Sequence, residues 1–289
     1  MLFRIKKFFV VVVFLALFNN AFSEETNKIN VNDKLRETRI KEYLDLIKTN
    51  DNVGKTADHK SGEIEIVTDS ELIKKIEDEM IAKGIKNGLT ENQAKEAYSV
   101  GIVSKDEYWY LLRDAVIFPS KTYGTYNRLI WKSSLERSPG RVGILPIFPN
   151  GRVVLIINYR HPTRSWELDL PRGVQYKGES IEQAACRQLQ EETGLLVTSC
   201  SLLGEIAPDS SSLSVVMPIY LGKIGFSAKP KRDDSEAILC VLTFSKEELK
   251  EAIKQGYINR EIKGVMQKIP VRDSHLIYAI FQAELKGLI

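Results

Sequence analysis

The chain has 289 residues, enough for one large domain or one domain with an extension. Its formal charge of +3 is supplied entirely by Arg4, Lys6 and Lys7; the rest balances 38 bases against 38 acids, so composition gives no argument for nucleic-acid or membrane-surface binding. The cysteines number three, Cys186, Cys200 and Cys240, an odd and sparse set that excludes a disulfide framework, and His59, His161 and His275 are too scattered for a zinc site.

Residues 1–23 read as a secretory signal. A basic start is followed by the apolar run Phe8 to Phe18, shorter than a membrane span of about 20 residues. Ala21, Phe22 and Ser23 supply a cleavage-like end before Glu24. The reading implies a secreted or periplasmic protein, or one delivered into another cell, with no stable membrane span after cleavage.

Residues 24–105 are polar and contain no proline. Leu35, Ile40, Leu44 and Ile47 recur at helical spacing. A polar linker over 51–62 leads to a second helix that Asp69 or Ser70 can cap. Thr90 and Gln93 have capping-box spacing before a third. This is a helical N-terminal extension without a catalytic constellation. Residues 106–140 change character. Two runs of strand formers, around Trp109 and around Ile130, flank a turn with Pro119, predicting a β-hairpin.

The core spans 141–289. Val142 to Phe148 and Val153 to Ile157 are strands joined at Asn150-Gly151, the strongest hairpin pair. Tyr159-Arg160 and the run Trp166 to Arg172 lead to Gly173. Ser180 to Thr193 has no Pro or Gly and is rich in helix formers, with Ser180 as cap and Gly194 as stop. Ala184, Ala185 and Leu189 form a small packing face, where Cys186 is expected to be a buried thiol. Gln188, Glu191 and Glu192 stand at i, i+3 and i+4 and share the other face. Adjacent carboxylates on such a helix suit Mg²⁺ or Mn²⁺ together with substrate phosphates. Strands follow over 201–206, 214–221 and 237–244, then helices over 246–254 and 274–286. Asp209, Asp233, Asp234 and Glu236 are open as a further acid of the site.

From Gly173, five residues lead to Glu179 and seven more to Arg187, followed by Leu189, Glu191, Glu192, Gly194 and Leu195. This resembles the Nudix box, with Gln188 where the family has glutamate. The run Trp166 to Gly173, the pair Tyr159-Arg160 and the hairpin resemble the ADP-ribose pyrophosphatase-like branch, whose N-terminal strands often build a homodimer. The resemblance implies an α/β fold, the Nudix α/β/α sandwich with a mixed sheet and a loop–helix–loop box. It implies a metal-dependent hydrolase of a nucleoside diphosphate linked to another group, ADP-ribose or a related nucleotide sugar foremost. Dinucleoside polyphosphates and capped RNA are the other substrates it admits; no basic stripe with interleaved aromatics points to nucleic acid. Glu191 and Glu192 are the expected metal ligands with the Arg172 backbone carbonyl, and Glu179 with Arg187 the ion pair holding the loop to the helix. Arg160 and Arg172 match phosphate by guanidinium geometry. Trp166 and Tyr176 are half-buried aromatics that can also stack on a base. Gln188 keeps the shape of glutamate without its charge. That loss opens the alternative of a catalytically weak fold that binds a nucleotide or a protein.

Overall fold

The computed structural model describes residues 33–136, 140–227, 229–231 and 237–289. The expected leader at 1–23 and the acids Asp233, Asp234 and Glu236 lie outside the described residues. The chain divides into two compact units, one of residues up to Ser104 together with Leu111–Asn127, the other of Lys105–Tyr110 and Arg128–Ile289. The hairpin expected as a separate element is thus shared between them, its tip belonging to the first.

In the first unit, α1 covers 33–48, α2 Asp51–Gly54, α3 Ser70–Lys86 and α4 Glu91–Tyr98. Asp69 caps α3 by accepting from the Leu72 amide, and Thr90 with Gln93 closes a capping box on α4. The region expected as a polar linker holds α2 and a turn of 3₁₀ helix. Strands β1 Glu65–Ile66, β2 Gly101–Lys105, β3 Trp109–Ile117 and β4 Tyr123–Trp131 form a small sheet centred on β3. Buried Glu77 gathers Arg36 and Arg39 at 3.0 and 2.9 Å, and Tyr43 donates to Asp114 at 2.6 Å.

The second unit carries the short α5, Lys132–Glu136, and is built on a seven-stranded mixed sheet. Its strands are β5 Arg141–Ile147, β6 Val153–Arg160, β7 Ser165–Asp169, β8 Arg172–Val174, β9 Leu195–Ile206, β10 Met217–Ser227 and β11 Ile238–Phe244. The order is β11-β6-β5-β10-β9, with β7 on β6 and β8 on β5. β5 and β10 run parallel; their other pairings are antiparallel. Alternation along β5 sends Val142 and Ile144 under helix α6, Ile181–Thr193, where Ala184, Ala185 and Leu189 allow close approach. Leu145 and Ile147 face the other layer. There α7 Lys246–Gln255 and α8 Ser274–Leu285 cover the sheet, α8 through Leu276, Ala279, Ile280 and Ala283. The result is the expected α/β/α sandwich.

Three features depart from the expectation. β9 and β10 are longer than the apolar runs suggested, because β9 exposes many of its side chains and its polar residues pair as well as its apolar ones. A hairpin, β12 Tyr257–Ile262 with β13 Val265–Pro270, fills a stretch with no predicted element; Lys263 and Gly264 both take positive φ, the two-residue turn that suits a twisted hairpin. Cys186 is half-buried instead of being sealed in the core.

Candidate active site

The loop from β8 into α6 is fastened at both ends. Ser180 accepts from the Gln183 amide at 3.1 Å, and the Gln183 side chain accepts from the Ser180 amide at 2.7 Å. Gly194, at φ 77, ends the helix in the left-handed region. Arg187 then ties helix to loop. Its guanidinium donates to Glu179 at 2.6 and 3.0 Å, to Glu191 at 2.8 Å and to the Val174 carbonyl at 2.7 Å. Tyr176 lies against the same guanidinium, 3.7 Å from ring centroid to Cζ. Tyr176 thus covers an ion pair, while Trp166 packs edge-on against Tyr159 at 5.4 Å.

The box glycine is required by contact. A Cβ on Gly173 would stand 2.2 Å from the Gln188 amide carbon. Gln188 is buried and lies directly on the Gly173 backbone. Glu192, one turn further, is only 4% exposed, whereas the Glu191 side chain keeps 27% and sits at the rim beside Arg187. The three residues expected on one face therefore split: Gln188 and Glu192 turn inward, Glu191 outward.

The ladder fixes the direction of the Arg172 carbonyl. Ile144 donates to the Pro171 carbonyl at 3.0 Å and Gln175 to the Gly140 carbonyl at 3.0 Å, bracketing β8. Bonded and non-bonded pairs alternate in an antiparallel ladder, so Arg172 and Val174 occupy non-bonded positions. Their carbonyls point away from β5, and the Val174 carbonyl meets Arg187 there. The buried carboxylate, the rim carboxylate and the outward backbone carbonyl are each hard oxygen donors of the type a divalent cation takes.

The Arg172 side chain goes the other way. It reaches Asp169 at 2.9 Å, Asp273 at 2.7 Å and the His275 Nδ1 at 2.9 Å. Asp169 is fully buried and also binds Arg160, through Nε at 2.6 Å and through a second, shorter contact. Burial opposes the Arg172 charge, but Asp169 first, then Asp273 and Glu192, outweigh it and raise its pKa. Burial likewise pushes against the Asp273 charge, yet the neighbouring His275 and Arg172 hold its carboxyl well below the usual carboxylate range. A parallel pair, Glu167 with Arg272 at 2.6 Å, sits one alternate position earlier on β7.

Of the residues that sequence reasoning placed in the site, the structure ties Arg187 to Glu179 and Glu191 and sets Gln188 on Gly173, while the side chains of Arg160 and Arg172 meet at Asp169. Sequence reasoning missed Asp169 and Asp273. Asp169 was readable only as part of the run Trp166 to Gly173, and Asp273 reads as an ordinary helix cap, which it also is. Asp209 accepts from the Ser211 amide at 3.0 Å and from both Ser211 and Ser212 hydroxyls, so its carboxylate serves its own turn. Among the described residues, the one cluster of His and acids close enough to share a metal is Asp58, His59 and Glu65. It belongs to the first unit, and Asp58 there caps a local turn through the Lys60 amide at 2.9 Å.

Comparison with known proteins gives a family match within the second unit. The NUDIX domain family model matches residues 137–263. An ADP-ribose pyrophosphatase of Bacillus subtilis (strain 168) is 23% identical over 156 residues, covering 54% of this chain and 77% of that protein. A methanol dehydrogenase activator of Bacillus methanolicus is 26% identical over 129 residues, covering 44% of this chain and 69% of that protein. A solved structure titled as an ADP compounds hydrolase superposes with a TM-score of 0.51 at 21% identity, over 65% of this chain and 91% of that one, a likeness of fold.

Proposed function

We propose, on the premise that this chain belongs to the Nudix family through residues 137–263, that it is a divalent-cation-dependent pyrophosphohydrolase. Its substrate is a nucleoside diphosphate linked to a second group, ADP-ribose or a related nucleotide sugar first among them. The observation that carries this is Glu192, a carboxylate 4% exposed on the turn of α6 that faces Arg172. Glu192, the outward Arg172 carbonyl and the rim carboxylate of Glu191 supply oxygen donors of the kind a hard divalent cation takes.

Glu191, Glu192 and the Arg172 carbonyl would hold Mg²⁺ or Mn²⁺. Such an ion neutralises diphosphate charge and lowers the pKa of a bound water. The chain's own residues do the rest. Arg187 keeps the loop and helix in one register through Glu179 and the Val174 carbonyl. Gln188 can accept a hydrogen bond from a water through its amide oxygen but cannot take up its proton. Arg160 is oriented by Asp169 and stays partly exposed, so it retains donors for a phosphate oxygen. The ADP-ribose preference draws support from the Bacillus subtilis relative, and the export expectation from the basic and apolar start of the sequence.

The test is hydrolysis of ADP-ribose, NADH and diadenosine polyphosphates with Mg²⁺ or Mn²⁺. Release of AMP from ADP-ribose that stops on chelation is the expected result. Metal-bound protein that cleaves none of them would defeat the reading.

A further inference from the structure

β5 begins at Arg141, directly opposite Val174 on β8. Strand alternation puts Arg141 on the face of Gly143 and Leu145, away from α6. Arg172 stands opposite Gly143, so the two arginines are diagonal neighbours, with Cα atoms roughly 7–8 Å apart in an ordinary ladder. Arg141 lies flat on Trp131, its Cζ 3.6 Å from the ring centroid. Trp131 in turn packs against Trp109 at 5.1 Å.

Charge compensation separates Arg141 from its neighbours. Arg160 and Arg172 both bind Asp169, and Arg172 also binds Asp273. Among the described residues, no carboxylate pairs with Arg141, and its Nε is buried without an acceptor. The Trp131 Nε1 beside it is also buried without one. Burial, then the charges of Arg172 and Arg160, push the Arg141 guanidinium down to about 10. Leaving a buried donor unsatisfied is costly, and a charged one more so. Among the described residues the Arg141 guanidinium therefore has no counter-ion, and it stands next to the strand that carries the box glycine, where an anion would compensate it. Guanidinium stacked on an aromatic face and open at its fork is suited to phosphate.

We propose that Arg141, held on Trp131, is a phosphate anchor of the substrate site and binds a non-bridging oxygen of the diphosphate. This rests on the diphosphate reading of the site given above. It adds a residue that belongs to neither the box nor the Tyr159-Arg160 pair, placed by the first residue of a strand. The anchor works by charge and orientation, so it acts on binding more than on the chemical step.

The test uses inorganic pyrophosphate as probe, in the presence of chelator, followed by tryptophan fluorescence. Trp131→Phe identifies the reporter. In the parent protein pyrophosphate changes the Trp131 emission and saturates. Arg141→Gln weakens that binding about ten- to a hundredfold, as loss of a charged hydrogen bond of roughly 1.5–3 kcal/mol requires. Arg141→Lys, which keeps the charge and loses the fork, falls between them and serves if the glutamine variant does not fold. With nucleoside diphosphate substrate, Arg141→Gln raises KM by a similar factor with a smaller effect on kcat. Unchanged pyrophosphate affinity and unchanged KM in a folded Arg141→Gln protein would overturn the anchor while leaving the hydrolase reading intact. Absent turnover in the parent, with pyrophosphate binding that still depends on Arg141, would uphold the anchor and remove the hydrolase.

Discussion

Arg187 and Arg172 both serve the box glycine, one from each face of β8, and they are compensated in opposite ways. Arg187 lies at the rim, where Glu179, Glu191, a carbonyl and the Tyr176 ring share its charge. Arg172 is about as exposed as Arg187, but it lies between Asp273 and the fully buried Asp169, with Arg160 bound to the same Asp169. Screening by water makes single rim pairs worth about 0.2–1 kcal/mol. Removing one member of a buried set leaves an uncompensated charge and costs about 3–5 kcal/mol. The rim network therefore sets the geometry of the loop, and the buried one sets whether the junction folds at all.

The largest effect should come from the buried side. Asp169→Asn strips the shared carboxylate from two arginines, and urea unfolding should show a loss of about 3–5 kcal/mol. A loss under about 1 kcal/mol would mean that the two guanidiniums are solvated and that the contrast with Arg187 is false. Arg187→Ala should act less on stability, by about 1–2 kcal/mol for its several partly exposed partners together, and more on turnover, because Glu191 and the loop lose their common tether. Equal stability losses in the two variants would erase the distinction.

The smallest effect is a pH dependence. The Asp273 carboxyl is depressed in the folded state, because His275 and Arg172 outweigh the opposing effect of burial. A depressed carboxylate stabilises the fold above its unfolded pKa, about 3.9, and loses that contribution as pH falls towards its folded value. The melting temperature should therefore decline from about pH 4 downward, and Asp273→Asn should start lower at neutral pH and decline less steeply. Parallel curves for the two proteins would show that Asp273 does not report on the network.

The same contrast explains how much could be read from the chain. The rim was legible because its information is local: Glu179, Arg187 and Glu191 are fixed by spacing along one loop and one helix, and Ser180 and Gly194 mark the ends. The sandwich was legible for a similar reason, since β5, β6, α6 and α8 carry clean periodicities. The buried network was not legible. Arg172 and Asp273 are 101 positions apart, and only packing of α8 against the sheet joins them. Arg141 reads as a polar residue just before the strand Val142 to Phe148 until Trp131 is found beneath it. The β12–β13 hairpin is a different case: Lys263-Gly264 is a weak turn signal next to Asn-Gly, and the strands around it expose much of their surface. Gln188 was seen as a missing charge; its contact with the Gly173 backbone, which makes it a packing residue too, needed coordinates.

The central claim is that a carboxylate-bound cation on α6 drives pyrophosphate cleavage, and one paired measurement tests it most directly. Steady-state hydrolysis of ADP-ribose with Mg²⁺ is compared in the parent, Glu192→Gln and Gln188→Glu, with circular dichroism confirming that each is folded. The account predicts a loss of at least about a hundredfold in kcat for Glu192→Gln, on the scale of removing a group that stabilises transition-state charge, and unchanged or higher turnover for Gln188→Glu. Parent-like turnover in a folded Glu192→Gln protein would contradict it.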